Sequence, residues 1–336
     1  MIKTVDTMNK FLIMYHREDN DGLFSAAIAE YAITNAIDAK NSTSFAYMPV
    51  DYNVLKSINK ESIDYWAANY DTVVMTDMSF PDVRMMKYLV DSLGDRLIWI
   101  DHHKPAIDAS VDNGYDDVPG ERATTRSAIL LAFKYFFDSD DTMYVNREIP
   151  VLFRMLSAWD SFSYEKEGYS LNDVRVLNVG VTQETKLDYD TVYDLVDEIM
   201  NDWKTNDVHY SPVIDHFMSV GNTYIQFDEY RWKNVIDTYG DFDWTVDNRP
   251  ACALFCQDST SSLIFKTASP NIRNGIVFKH MKNGNWTMSL YNIHNDDTFH
   301  CGEYLKKKYN GGGHLGAAGC ILTEDQFIDI LKAKKI

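Results

Sequence analysis

The chain is short of cysteine, short of basic residues relative to acidic ones, and has no long apolar run. Each shortage excludes something. Only four cysteines occur in 336 residues, Cys252, Cys256, Cys301 and Cys320, all in the last third and none in a C-x-x-C pair. That spacing excludes a zinc ribbon and offers no disulfide framework, so reduced thiols in a cytosolic protein are the simpler expectation. Lys and Arg number 32 against 50 Asp and Glu, a formal net charge of -18. Non-specific binding of long nucleic acid rests on basic side chains that neutralise many phosphates, and this composition argues against it. A short phosphate-bearing ligand stays open if metal ions supply local positive charge. No stretch approaches the ~20 apolar residues that span a membrane, and the N-terminal segment lacks a signal-peptide cleavage pattern. The expectation is a soluble, cytoplasmic protein. Its length suits two domains, and 45% hydrophobic residues are enough for substantial cores.

What is present is a set of strand-like runs that end in acid and imidazole. Phe11 to Tyr15 leads to His16, Asp19 and Asp21; Thr72 to Thr76 leads to Asp77; Leu97 to Ile100 leads to Asp101, His102 and His103. Another strand-like run covers 45–50, while Leu23 to Ala36 and the segment after Pro81 have helical spacing. This β-α-β alternation predicts an α/β fold, a parallel sheet covered by helices. Ligands of such sheets bind beyond the carboxyl ends of the strands, where all of these residues fall. Buried charge is costly unless it is paired or bound to metal, so the constellation points to a metal site and not to a core. A helix is expected to begin at Thr124-Thr125, and another runs from Pro150 through Ala158 to end at Trp159-Asp160. Residues 187–232 look helical.

After Asn248-Arg249-Pro250 the texture changes to strand-like runs at 251–256, 275–278 and 286–290, with Asn283-Gly284 as a hairpin turn between the last two. Inside this region lies Gly311-Gly312-Gly313-His314, followed by Leu315-Gly316-Ala317-Ala318-Gly319. Glycines there let backbone N–H groups approach an anion, and the small residues that follow suit a tightly packed helix start. Three parts are expected: a metal-binding catalytic domain over 1–190, a helical connection over 191–244, and a smaller α/β substrate-binding domain over 245–336.

His16-x-x-Asp19-x-Asp21-Gly22-x-x-Ser25, Asp77, Asp101-His102-His103, Trp159-Asp160 and the Gly311 to His314 segment, in this order, resemble the DHH phosphoesterases of the DHHA1 subfamily. That group includes RecJ-type exonucleases, nano-RNases and cyclic dinucleotide phosphodiesterases. The resemblance implies two bound Mn2+ ions, with Mg2+ or Co2+ as substitutes. One ion would take His16, Asp19 and Asp77; the other would take Asp21, Asp77, His102 and Asp160, so that Asp77 bridges. Asp101 would orient His102 or His103, and His103 would face the scissile phosphate. Gly311, Gly312, Gly313 and His314, with Ser289 and Tyr291, would contact the substrate. Mixed carboxylate and imidazole donors suit manganese, and two ions ~3.5–4 Å apart clamp both oxygens of an in-line displacement at phosphorus.

Two departures from the family pattern stand out. Two residues, Arg17-Glu18, separate His16 from Asp19 where one is common, which makes Glu18 a substitute ligand. Tyr291 stands where many members carry the Arg of a Ser-x-Arg-Ser segment; Arg273 is the nearest cation in sequence, and a tyrosine there could instead stack on a base. The implied activity is hydrolysis of short oligonucleotides or small nucleotides. The alternatives are a cyclic dinucleotide or 3′-phosphonucleotide substrate, a RecJ-like exonuclease acting on single strands, or a non-catalytic nucleotide-binding module. For positive potential the sequence offers Lys306-Lys307-Lys308 and scattered arginines such as Arg122 and Arg126.

Overall fold

Four apolar runs of the first half fold as β1 (Asn9–His16), β2 (Thr43–Val50), β3 (Thr72–Thr76) and β4 (Leu97–Ile100) in a computed structural model. The structure describes residues 9–36, 43–137, 148–205, 212–256, 262–294 and 298–336. The four strands form one parallel sheet in the order β2-β1-β3-β4. Parallel neighbours need crossovers, and the helices supply them. α1 (Asn20–Ala36) connects β1 to β2; α2 (Tyr52–Ser57) and α3 (Lys60–Asn69) connect β2 to β3; α4 (Val83–Leu93) connects β3 to β4. α5 (Lys104–Asp112), α6 (Ala128–Phe137), α7 (Val151–Asp160), α8 (Leu171–Thr185), α9 (Tyr189–Thr205) and α10 (Pro212–Tyr239) follow.

Both faces of this sheet are covered, which explains the continuous apolar runs in the middle of β1, β3 and β4. Side chains alternate between the two faces. Leu12 and Met14, with Val73, Met75, Leu97 and Trp99, pack on the side of Ile63, Trp66, Met86 and Leu89 from α3 and α4. Ile13 and Tyr15, with Val74 and Ile100, pack against Phe24, Ile28, Ile129, Phe133 and Phe153 of α1, α6 and α7. The result is a three-layer α/β unit.

The chain divides into two compact units, Met1–Tyr224 and Ile225–Ile336. The second is built on a mixed sheet in the order β5-β6-β7-β8-β10-β9. Its strands are β5 (Asp241–Val246), β6 (Arg249–Phe255), β7 (Asn274–His280), β8 (Trp286–Asn292), β9 (Gly312–Gly313) and β10 (Ala317–Leu322). Only β6 and β7 run parallel. α11 (Cys301–Tyr309) and α12 (Glu324–Ala333) cover one face over Trp244, Ile276, Phe278, Met288 and Leu290. The expected hairpin turn at Asn283-Gly284 joins β7 to β8, with Gly284 in the left-handed region at φ 85°. The expected helix start after the glycine run is instead strand. Ala317–Leu322 pairs with β8 on one side and with Gly312-Gly313 on the other, because small residues fit a close strand pairing as well as a close helix packing. No helix among the described residues is long and apolar enough to cross a membrane.

Candidate metal centre

Three strand ends and one helix end supply the site. At the end of β1 the chain turns at once into α1, and a Cβ on Gly22 would lie 2.0 Å from the carbonyl oxygen of His16. Only glycine permits that approach. Asp19 accepts a hydrogen bond from the Gly22 N–H at 3.0 Å, which caps the start of α1. Its other oxygen lies 2.9 Å from His16 Nδ1. Asp21 accepts from the N–H groups of Ala128 (2.8 Å) and Ile129 (2.9 Å), so it caps α6 from 107 and 108 residues away. That bond explains why α6 begins at Ala128 and not at Thr124-Thr125: the free N–H groups of the first turn are taken there.

Asp77 follows β3 in the left-handed conformation, φ 55°, and its N–H reaches the carbonyl of Ile100 at 2.9 Å. The next carbonyl, that of Met78, accepts from the Trp99 indole at 3.0 Å. At the end of β4, Asp101 is fully buried and one of its oxygens accepts from His102 N (2.7 Å), His103 N (3.1 Å) and His103 Nδ1 (2.7 Å). Asp101 therefore orients the ring of His103. An ionised carboxylate only accepts, so His103 Nδ1 is the donor and Nε2 is left to face outward chemistry. Asp160 is the last residue of α7.

These elements bring all six sequence-derived ligand candidates together. His16, Asp19 and Asp77 form one group; Asp21, His102 and Asp160 form another; Asp77, His102 and His103 form a third that links them, and in each the ligand atoms lie within 4.8 Å of one another. His102 Nε2 stands 3.3 Å from Asp77, 3.3 Å from Asp160 and 3.6 Å from Asp21. Glu18, the substitute ligand, reaches 3.6 Å from His16 Nε2, with its side chain 56% exposed. Asp77 Oδ1 and Asp160 Oδ2 are buried and make no hydrogen bond. Buried carboxylate oxygens without hydrogen bonds are costly, and one imidazole shared among three carboxylates leaves room for a cation as a further partner.

The titration behaviour has the same cause. Hydrogen bonding to Asp19, then the approach of Asp77, raises the His16 pKa to about 11. Burial works against charge on His102, but Asp77, Asp21 and Asp160 outweigh it and lift its pKa to about 9. Burial pushes Asp160 up to about 6 and raises Asp21 as well. Burial works to raise Asp77 too, yet the approach of His102 and His16 holds it below the usual carboxylate range. His103 is raised by its bond to Asp101. In this arrangement protons on two imidazoles offset the charge of the surrounding carboxylates.

A pocket of about 210 Å³ opens against this cluster, with His16, Asp77 and His103 on one wall and Val50, Leu55, Met78, Pro81, Pro105 and Ala106 elsewhere. Nothing in the sequence signals it, because its apolar wall comes from four separate places: the end of β2, α2, the loop after β3 and the start of α5. Asn20 is another residue that sequence reasoning missed; it donates to Asn178 Oδ1 (2.8 Å) and Thr182 Oγ1 (2.9 Å) and ties the first motif to α8.

The second unit holds the other candidates. Register places Ser289 opposite Gly319, and Tyr291 opposite Ala317, while Gly312 and Gly313 pair with Gly319 and Ala318. Ser289 and Tyr291 on β8 and the glycine run on β9 thus flank β10 from its two sides. His314 is exposed; its N–H bonds the carbonyl of Ala317 at 2.7 Å and its own carbonyl accepts from Gly302 at 3.0 Å. Tyr291 packs beside Phe265, ring centroids 5.9 Å apart. Of the arginines expected to lend positive potential, Arg122 is committed to the carbonyls of Trp99, Asp116 and Val118.

Residues 10–152 match the DHH family, N-terminal domain. Members of the family are generally phosphoesterases, and they act on nucleic acid or nucleotide substrates. Over 97% of its length the chain is similar to a crystal structure of an uncharacterized protein from Helicobacter pylori, at 14% identity and TM-score 0.40, covering 98% of that chain. Over 97% it is also similar to RecJ from Thermus thermophilus, crystallised in complex with Mn2+, at 12% identity and TM-score 0.47. It spans 51% of that RecJ chain. No curated protein matches the sequence.

Proposed function

We propose that the protein is a divalent-metal-dependent phosphodiesterase that hydrolyses short oligonucleotides, with manganese as the preferred ion. The observation that carries this reading is the pair of Asp/His groups linked by a third that shares Asp77 with one and His102 with the other, with buried oxygens of Asp77 and Asp160 that make no hydrogen bond. His16, Asp19 and Asp77 would hold one ion, and Asp21, Asp77, His102 and Asp160 the other. Bound there, the ions would supply Lewis acidity and charge to a phosphodiester. Asp21 keeps its place through the N–H groups of α6, so its carboxylate is fixed before any ligand arrives. His103, held by Asp101 and half-exposed at the pocket wall, presents its second nitrogen to substrate oxygens and can pass a proton there. The pocket beside it has room for a base or sugar.

Residues 245–336 are proposed as the substrate-binding domain. A Cβ on Gly313 would strike Ala317 and Ala318 at 2.5 Å, and one on Gly311 would meet Gly319 at 2.6 Å, so packing alone accounts for those two. A Cβ on Gly312 would meet nothing within 4 Å. Its glycine is unexplained by the fold and suits close approach of a ligand backbone. The net charge of -18 favours short substrates over long ones. Incubation with MnCl2 and a panel of di- to pentanucleotide RNA and DNA and cyclic dinucleotides, resolved by chromatography, tests the reading. Mononucleotide products from linear short strands are expected. Cleavage of cyclic dinucleotides alone would move the substrate assignment, and no cleavage of any of them would overturn the activity.

A further inference from the structure

The cluster would hold one reacting phosphate, but a strongly acidic protein needs a cation for any other phosphate of the same substrate. The arginines and lysines near the carboxyl end of the parallel sheet are mostly committed. Arg17 pairs with Asp51, which caps α2. Lys104 pairs with Asp108 at 2.9 Å, and Lys134 with Glu121 at 2.6 Å. Arg122 holds three backbone carbonyls. Arg126 is exposed and has no side-chain partner among the described residues.

Exposed arginines are common, so exposure alone carries nothing. The anchor of Arg126 is what distinguishes it. The next residue, Ser127, is buried with its N–H on Ser157 Oγ at 3.3 Å. The residue after that, Ala128, gives its N–H to Asp21 at 2.8 Å. Asp21 in turn lies 3.6 Å from His102. At most about 7 Å of extended chain separates Arg126 from the N–H that Asp21 receives, and a guanidinium arm covers a comparable distance. The backbone beneath Arg126 is therefore pinned to the cluster, on the α6 side and not among the residues that line the pocket.

We propose that Arg126 is a substrate-binding residue that grips a second phosphate of the substrate, adjacent to the one held at the Asp/His cluster. This rests on the phosphodiesterase reading given above. A guanidinium binds phosphate through two parallel N–H bonds and stays charged at any working pH, which suits a clamp that takes no part in the chemistry. A substrate would then run from the apolar pocket, across the cluster, to Arg126. Dinucleotides with a 5′-phosphate gain from it; a diester with a single phosphate does not.

The test compares the 5′-phosphorylated dinucleotide pApA with bis(p-nitrophenyl) phosphate, both with MnCl2, in wild type, Arg126→Ala and Arg126→Lys. The expected result is a fall of about 10-fold in the preference for pApA, as the ratio of kcat/KM values, in Arg126→Ala. The loss should lie in KM, and Arg126→Lys should restore part of it. Equal loss on both substrates, or no loss, overturns the proposal. If wild type turns over neither substrate, the activity reading fails by itself. Calorimetric binding of pApA to the manganese-loaded proteins still decides the role of Arg126: weaker binding by Arg126→Ala supports it, and the same binding overturns it.

Discussion

The two units carry functional signals of opposite physical kinds. In the first, Asp21, Asp77 and Asp101 are buried and the hydrogen bonding of the cluster is incomplete: Asp77 and Asp160 each keep a buried oxygen that makes no hydrogen bond and has only His102 Nε2, at 3.3 Å, for a charged neighbour. In the second, the marked glycine run is exposed and its backbone is tied to β10 and α11. A buried site reveals itself by what it fails to satisfy, because an unpaired carboxylate in a core is expensive. An exposed site reveals itself by what the fold does not require, as at Gly312. The same comparison separates ligands from caps less cleanly than the sequence suggests. An Asp after a strand is ordinarily a turn or helix cap, and here Asp19 caps α1 and Asp21 caps α6 while both also face histidines.

The sharpest way to break the comparison is Asp77. Asparagine tolerates the left-handed backbone at φ 55°, whereas alanine there costs about 1 kcal/mol or more. Asp77→Asn should therefore fold as wild type does in chelator, lose manganese from both groups, and lose hydrolysis by about 10³-fold or more, as expected for a residue on which a catalytic unit depends. Metal analysis, thermal melting and rate measurements on the one variant check all three. Near wild-type hydrolysis would remove the functional meaning of the buried unsatisfied oxygens.

The second expected effect concerns pH. A histidine whose folded pKa is raised contributes stability that is fully present below its unfolded value, near 6.5, and is lost as pH rises through the folded value. For His102 and His16 those folded values are about 9 and about 11. Asp160, raised to about 6 by burial, acts in the same direction: its contribution is present at low pH and lost as pH rises through about 6. Asp77, held low, acts oppositely, and only below the ordinary carboxylate range. Metal binding inverts the trend, since ligands must shed these protons, and affinity for manganese should rise by about 10-fold or more per pH unit near neutrality. Melting temperatures at pH 6, 7 and 8 should therefore fall with pH in chelator and rise with pH in MnCl2. The same slope in both conditions would mean that the cluster is a proton-bound structural network.

Legibility from sequence followed the range of the interactions involved. The central strands β1 and β3, and β4 beside them, are plain because each carries an apolar run that is mostly buried, whereas the edge strand β2 is only half-buried. His16, Asp77 and the Asp101-His102-His103 run were legible because they directly follow such runs. The start of α6 was not, since its cap is Asp21, 107 residues away. Asp160 is locally a helix end, and only the family resemblance marked it. Leu315 to Gly319 reads as a helix start, yet Ala317–Leu322 is a strand, because small residues carry no strand-specific signal and the pairing partners lie elsewhere in the chain. The part of the expected helical stretch 187–232 that covers 206–211 lies outside the described residues.

A smaller effect sharpens the exposed half of the comparison. Gly313 has φ 148° and would clash on gaining a Cβ, so Gly313→Ala should destabilise the second unit by about 1–3 kcal/mol. Gly312→Ala should change its stability by less than about 0.5 kcal/mol, as open surface positions do. Under the proposed function Gly312→Ala should nonetheless raise KM for short oligonucleotides. Paired denaturant melts with rate measurements separate the two glycines. Equal destabilisation would make the whole run structural.

The smallest expected effect falls on Lys306, Lys307 and Lys308. All three sit in the last turn of α11, and Lys308 Nζ lies 4.8 Å from the centroid of the Tyr304 ring. Cations near a helix C-terminus are worth about 0.3–1 kcal/mol each at low salt. That is a sufficient reason for basic residues at this place in an acidic chain, with no nucleic acid involved. Lys306→Gln combined with Lys307→Gln should cost the second unit about 1 kcal/mol at low salt and less at high salt. A long-strand exonuclease needs a basic groove that follows its substrate, and a helix end is a poor one. Rates on two-, five- and twenty-four-nucleotide RNA at fixed salt should fall with length in wild type, and fall equally in the double variant. If the variant selectively slows the longest strand, the lysines form a nucleic-acid track. The exposed surface of the second unit would then carry function through charge as well as through Gly312.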